Sequence, residues 1–540
     1  MSGGIELQFD LISYTLIALL VGLIVVPLIL SKDPDIHPYA LLRQSSVAPV
    51  RNPKESAVYR SLQTPVGYPL VSGLQLPSVQ KYSSRSGDIR DIWKLAIEKG
   101  KGKIIVAKGK DVEKHDINTL TKQIHALGTH LKNAGATKVA VHLPNCIENL
   151  VATFACAYYG FVLVILPFEP TGTPSISELL KQTSADILIT QGGQLPLEEF
   201  KGSGLKEIVL VVEEASQHLG WSGPIGEAKC GQFVDITKNE VEPIADIDID
   251  LDAPAVVIFS PEVNGKIETV EFSHRNIIAG VAALAVTLPK NERYMPEDVF
   301  LPVDTLADLY TRIHLYTALS SGTTVALNST GGKHADVELT CRVIAPTIIV
   351  VSPESLLEMH RATKSTMKEF LHGIVHYFQT KTLADGRIPQ GNFLTNFGGC
   401  PRPNVGGKLR LVFVVEAAGD KTSQAITSLD LSDARVFFKS KVVYGLKHHK
   451  VAGPLAQQNV YDYRVQAEAL PSEKNPRKCA HFGPPTPGVE IKLRDMGEFT
   501  ATDAEGPRGE VMISGAPVSG GQQALGFAGK WEKECVLSYA

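Results

Sequence analysis

Short apolar runs alternate with helix-like segments from residue 116 onward, and no other feature limits the possible folds of this chain so strongly. Asp116 can cap a helix whose apolar positions Leu120, Ile124, Leu127 and Leu131 fall on one face, and Gly135 ends it. Residues 139–143 (VAVHL) read as a short buried strand, and Asn145 as the cap of a helix ending near Gly160. FVLVILP at 161–167 is the next strand, followed by a helix near 175–183 and by the strands ILIT at 187–190 and IVLVV at 208–212. Strands that are apolar throughout are buried on both faces, so the alternation predicts a parallel sheet covered by helices. A second such region begins near Ala253, with AVVIF at 255–259, APTIIVVS at 345–352 and LRLVFVV at 409–415. Near Gly483 the pattern changes: GVEIKLRD and RGEVMISG are short strands around a turn and predict a small β region.

The N-terminus carries a different signal. Leu11–Leu30 reads LISYTLIALLVGLIVVPLIL, twenty residues without a charge, which is the length a helix needs to span a bilayer core. Glu6 and Asp10 precede it without any Lys or Arg, and no small-x-small cleavage site follows, so it reads as a retained anchor and not a cleaved signal. Lys32, Arg43, Arg51, Lys54 and Arg60 follow, and the positive-inside bias then puts the body in the cytosol. The expectation is a single-pass membrane protein of the endoplasmic reticulum, the outer mitochondrial membrane or lipid droplets. Residues 32–85, rich in Pro, Ser and Arg, read as a linker or extended collar.

Composition excludes other classes. The formal net charge is −4 and no long basic run occurs, which argues against a nucleic-acid partner. The seven cysteines are scattered and form no C-x-x-C pair, so neither a disulfide framework nor a metal site is expected.

Residues 259–274, FSPEVNGKIETVEFSH, have the outline of a phosphate-binding loop between a strand and a helix. Aligned without gaps, they resemble the Y-T-S-G-T-T-G-x-P-K-G-V-x-x-S-H signature of the AMP-forming acyl-CoA synthetases, with Phe259, Ser260, Gly265, Val270, Ser273 and His274 on matching or similar positions. HLPNCIENLVATFACAYYGFVLVILPFEP, FLPVDTLADLYTRIHLYTALSSGTTVAL, RVIAPTIIVVSPESL, KVVYGLKHH and GPPTPGVEIKLRD followed by GPRGEVMISGAPVSGG resemble further segments of that adenylate-forming superfamily, in order, over roughly residues 100–520. SSGTT at 320–324 falls where the family has a structural turn and is not read as a phosphate loop. The apolar N-terminus and the length resemble the long-chain fatty-acyl branch.

The resemblance implies an α/β fold, the large N-terminal domain of an adenylate-forming enzyme with two αβ subdomains and a small β portion. The expected division is an anchor at 1–31, a collar at 32–85, αβ subdomains at 86–250 and 251–482, and a β portion at 483–540. Only 25 residues follow Gly515 and no T-G-D appears among them, so the mobile C-terminal lid is expected to be absent. The family chemistry is attack of a carboxylate on the α-phosphorus of ATP, followed by transfer of the acyl group to coenzyme A.

Several positions depart from the pattern that chemistry needs. Pro261, Glu262, Val263 and Asn264 stand where the family has S-G-T-T, and Glu268 stands at the lysine. Two like unit charges at about 4 Å repel by roughly 4 kcal/mol at an effective dielectric of about 20, which opposes a triphosphate. In the Y-G-x-T-E segment Tyr444 and Gly445 remain, but Lys447 replaces threonine and His448 replaces the magnesium-binding glutamate. Thr305 stands where the family often has histidine. The degenerate nucleotide-site positions are therefore Ser260, Asn264, Gly265, Lys266, Glu268, Tyr444, Gly445, Lys447 and His448, and no catalytic residue is assigned. Three functions remain open: a binding or scaffold protein at the cytosolic membrane face with impaired adenylation, a divergent long-chain fatty acid–CoA ligase in which Lys266 or Lys447 replaces the missing cation, and a sensor or carrier of fatty acid or acyl-CoA. ATP, magnesium and coenzyme A are expected as cofactors and co-substrate only in the active form.

Overall fold

The computed structural model of the chain describes residues 10–30, 33–74, 76–77, 84–85, 87–100, 103–108, 111–168, 175–196, 200, 202–212, 224, 228–239, 241–244, 247–260, 267–329, 332, 334–368, 370–389, 401–419, 425–465, 480–502 and 506–540. Three sheets organise it. A seven-stranded sheet runs in the order Lys229–Gln232, Glu207–Val211, Ile187–Gln191, Lys138–His142, Val162–Ile165, Pro254–Phe259, Thr269–Ser273, parallel except for the last pair. An eight-stranded sheet runs Pro454–Gln457, Lys441–Lys447, Leu411–Ala417, Ile348–Val351, Val299–Pro302, Thr324–Leu327, Ile104–Lys108, Asp111–His115, with antiparallel edges and six parallel strands between them. The third sheet is antiparallel: Ser45–Val47, Tyr59–Ser61, Val489–Arg494, Arg508–Gly515, Gln523–Trp531, Leu537–Tyr539.

The parallel sheets form because their strands have no polar face to present. All four residues of Ile348–Val351 are buried, as are Ile187, Leu188 and Ile189, and such strands need a covering on both faces. One continuous core joins both parallel sheets through the helices Ile89–Lys99, Ile117–Asn133, Ile147–Tyr159, His274–Thr287 and Leu309–Ser321. Leu309–Ser321 is buried from Leu309 through Ser320, all round its circumference, so it behaves as a central helix of a large core. A second core fills the space between the other face of the eight-stranded sheet and the antiparallel sheet, joining Leu301, Ile349 and Val412 to Val489, Ile491 and Val511.

The cap expected at Asp116 forms, and a further helix start is held in the same way. Asp116 accepts from the Thr119 amide at 3.2 Å and caps Ile117–Asn133, and Ser175 caps Ile176–Thr183 in a reciprocal box with Glu178. SSGTT is the turn where Gly322, at φ +74°, ends Leu309–Ser321 before the strand Thr324–Leu327. Asn145 is an exception. Cys146 is the residue at the cap position of Ile147–Tyr159, without a side-chain bond, while Asn145 turns to the loop after Val299–Pro302. Its Nδ2 donates to the Pro302 and Asp304 carbonyls at 3.1 and 2.9 Å, and its Oδ1 accepts from the Leu306 amide at 2.7 Å.

One expectation is corrected. Leu11–Leu30 does form a helix, but among the described residues no helix is long and apolar enough to cross a membrane, which overturns the expected transmembrane segment. The residues after Gly515 belong to the fold. Gln523–Trp531 and Leu537–Tyr539 complete the antiparallel sheet, and Trp531 stacks on Tyr59 with ring centroids 3.8 Å apart.

Candidate functional site

Ligands of open parallel sheets bind outside the carboxyl ends of the strands. In the eight-stranded sheet those ends bring charged groups together from four strands. Asp304 follows Val299–Pro302, Glu354 follows Ile348–Val351, and Glu416 and Lys447 lie in the last residues of Leu411–Ala417 and Lys441–Lys447. Lys447 is committed internally: its Nζ stands 2.6 Å from Oδ1 of Asp308. The other oxygen of Asp308 accepts from the Thr311 amide at 3.2 Å and caps Leu309–Ser321, so the helix start fixes the partner of the lysine. Burial works against the charged form of Lys447, but Asp308 and then Asp304 outweigh it and raise its pKa above the usual lysine value. Asp304 is buried, and burial pushes its carboxyl up to about 6 against the pull of Lys447, with Asp308 and Glu354 adding to the rise.

The remaining Y-G-x-T-E positions are structural. Tyr444 is fully buried and its hydroxyl bonds the Glu416 carboxylate. A Cβ on Gly445 would meet the Ala456 carbonyl at 3.0 Å, so glycine is needed where the strand pairs closely with Pro454–Gln457. His448 is buried, and its Nδ1 accepts from the Lys450 amide at 3.2 Å while the ring also bonds the Leu525 backbone. Burial, with His449 and Lys450 nearby, pushes its pKa down to about 3, so it is a neutral ring tied into the C-terminal segment. With Nδ1 accepting a hydrogen bond it offers no free lone pair there to a magnesium ion, and among the described residues no group of three His, Cys, Asp or Glu side chains is placed to hold a metal.

The segment that joins Pro254–Phe259 to Thr269–Ser273 has its two described ends bonded to each other. Ser260 and Glu268 close its neck: the Ser260 amide donates to the Glu268 carbonyl at 2.8 Å, and the Ser260 hydroxyl accepts from the Glu268 amide at 2.9 Å. Glu268 is near enough to His449 to raise its pKa, although burial and Lys450 dominate and bring that ring down to about 4. Through His449 the structure brings Glu268, and Ser260 bonded to it, near the end of the strand that carries Tyr444, Gly445 and Lys447 and leads into His448, while Asn264, Gly265 and Lys266 lie outside the described residues. The described groups do not fit a magnesium triphosphate, because carboxylates stand at the strand ends and the cation is already paired. Sequence reading missed Asp304, Asp308 and Glu354. Their signal was the position of D-T-L-A-D and S-P-E directly after buried strands.

The AMP-binding enzyme profile matches residues 96–521. The chain belongs to the AMP-binding enzyme family. Among curated relatives, an uncharacterized protein of Saccharomyces cerevisiae is 23% identical over 81% of this chain and 78% of its own length. Long chain acyl-CoA synthetase 7, peroxisomal, of Arabidopsis thaliana is 23% identical over 72% of this chain, and the match spans only 54% of that enzyme. Among solved structures, a long-chain-fatty-acid-CoA ligase from Archaeoglobus fulgidus superposes with TM-score 0.61 at 13% identity, covering 87% of this chain and 86% of its own. The luciferase-like enzyme of the mealworm Zophobas morio gives TM-score 0.61 at 14% identity over 87% of this chain and 98% of its own. These likenesses establish the adenylate-forming fold. They do not support the expected absence of a lid, because the match covers 98% of the mealworm enzyme's chain.

Proposed function

We propose that this AMP-binding family member is an acyl-CoA-synthetase-like binding protein in which adenylation is impaired. The observation that carries this reading is the Lys447–Asp308 pair, with Asp304 and Glu354 beside it. Ligases of this family use ATP, magnesium and coenzyme A. A triphosphate would have to displace an internal carboxylate from the lysine and then sit among the carboxylates left behind. Each like-charge contact at about 4 Å costs roughly 4 kcal/mol at an effective dielectric of about 20. The adenylate-forming scaffold around the site is intact, which supports a retained binding role for a fatty acid or acyl-CoA.

The test is calorimetry with magnesium ATP, together with pyrophosphate exchange in the presence of long-chain fatty acids. No binding at millimolar ATP and no exchange, alongside saturable binding of acyl-CoA, is the expected result. Exchange at rates typical of a ligase, about 1 per second or faster, would favour a divergent long-chain fatty acid–CoA ligase. Absence of acyl binding as well would leave only a scaffold.

A further inference from the structure

Helix Phe370–Ala384 keeps a strongly apolar face in water. Phe370 is 83% exposed, Tyr377 64% and Phe378 60%, with Leu371 and Ile374 beside them. At 100° per residue these five positions share one side, and Lys381 lies on it too. The opposite side is fixed to the protein. Gln379 and Leu383 are buried, Leu383 packs in one cluster with Val436 and Phe437, and His376 Nε2 lies 3.1 Å from Oδ1 of Asp433. The exposed face therefore belongs to a rigidly held helix.

A second apolar element is rooted at the end of this helix. The Asp35 amide donates to the Gly386 carbonyl at 2.9 Å, and the Asp35 carboxylate accepts from the Tyr463 hydroxyl at 2.8 Å. A Cβ on Gly386 would lie 2.9 Å from Pro34, so the chain at 34–35 rests directly on the turn. Leu30 is four residues earlier, at most about 14 Å of extended chain. Leu11–Leu30 thus starts from the pole that presents the aromatic face, and Leu11, Leu16 and Leu20 on it are exposed.

We infer that this pole docks on an anionic lipid surface, with Phe370–Ala384 lying in the interface plane. The proposal is independent of whether the nucleotide site works. A lipid surface is favoured over a protein partner or a second copy because large aromatic and aliphatic side chains stand exposed on one face of a helix held along its other side, the form of a helix that lies in the headgroup region. Charge agrees. Residues 361–388 carry five basic side chains against two acidic ones, in a chain whose formal net charge is −4. Aromatic and aliphatic groups on one face, flanked by lysine and arginine, are the composition of helices that lie in the headgroup region.

The test uses the full chain carrying Phe378→Trp, with the unsubstituted chain as baseline. Vesicles are phosphatidylcholine with about 30% phosphatidylserine, prepared with and without bromine on the acyl chains. Bromine quenches only indoles that reach the acyl boundary, so a loss of about half of the added emission is expected. Adding Lys368→Glu and Lys381→Glu to the same chain is expected to weaken vesicle association about tenfold or more. These residues are exposed, and circular dichroism checks that each variant stays folded. An unquenched indole in vesicle-bound chain would overturn the inference. A dimer in light scattering that Phe370→Glu disperses, without quenching, would overturn it in favour of a second copy.

Discussion

Lys447 and Asp308 are joined across 139 residues of sequence by a 2.6 Å ion pair. The lysine ends the strand next to the edge of the eight-stranded sheet, and the aspartate caps a helix buried all round. The side chain of Lys447 is 20% exposed, so the pair lies at the rim of the core and not deep within it.

Release of that lysine is expected to restore anion affinity. Asp308→Asn keeps a side-chain oxygen for the helix cap but removes the charge that holds Lys447. Glu268→Lys removes the carboxylate at the neck of the loop. The double variant is expected to bind magnesium ATP at least tenfold more tightly than the unsubstituted chain in calorimetry, because two unfavourable unit charges are removed near the phosphates. Unchanged affinity would show that the described carboxylates are not what excludes the nucleotide.

Asp304 predicts an inverted pH dependence. Its folded pKa, about 6, is raised by burial above the ordinary aspartate value. Between the unfolded pKa of about 3.9 and the folded value, the native state keeps a proton that the unfolded chain has released, so stability falls as pH rises through that window. Above it the cost is complete, on the order of 3 kcal/mol. Asp304→Asn is therefore expected to stabilise the protein at pH 7 and to leave it nearly unchanged at pH 4, read as the shift in thermal midpoint at the two pH values.

How far the sequence shows all this depends on the range of each interaction. Asp116 and Ser175 act within three residues, and their caps are legible. Apolar runs such as 348–351 announce buried parallel strands, because burial on both faces needs only local composition. The joining of Ile104–Lys108 to Thr324–Leu327 is not legible, since parallel register is set by the helices that carry the chain back. At the candidate site, Glu268, Lys447 and His448 stand out as departures from a family pattern. Their partners do not: Asp308 reads locally as a cap, and only the folded sheet brings it to Lys447. Asn145 shows the same limit, because a residue suited to a local cap spends its amide on carbonyls more than 150 residues away.

Asp433 predicts the opposite pH behaviour to Asp304. Three cationic or imidazole groups converge on it: His360 at 3.0 Å, His376 at 3.1 Å and Lys364 at 3.0 Å. Burial raises its pKa, but the bonds from His360, His376 and Lys364 outweigh that and hold it far below the usual carboxylate range. A depressed folded pKa contributes stability above the unfolded value of about 3.9 that is lost as pH falls below it. Asp433→Asn is expected to lower stability at pH 7 by on the order of 2 kcal/mol, and the melting curves of the two proteins should converge as pH falls toward 2. A constant difference at all pH values would mean that packing, not charge, is what the aspartate supplies.

Arg312 joins the two parallel-sheet regions from the middle of the core, and its removal is expected to be costly. It is 1% exposed. Its guanidinium donates to Thr153 Oγ1 at 2.8 Å, to Asn149 Oδ1 at 2.7 Å and to the Leu306 carbonyl. The first two acceptors lie on Ile147–Tyr159, whereas Arg312 lies on Leu309–Ser321, so one side chain ties the two helices through neutral acceptors. Arg312→Met has similar reach and fills much of the volume but strands three buried acceptors. At about 1 kcal/mol each the loss is about 3 kcal/mol, enough to lower the unfolding midpoint and to raise protease sensitivity of the whole body. Arg312→Lys keeps the charge but not the planar fork, so it can meet only part of the set. Its stability is expected to lie between the two. If the lysine variant were no better than the methionine one, the fork geometry and not the charge would be what the core requires.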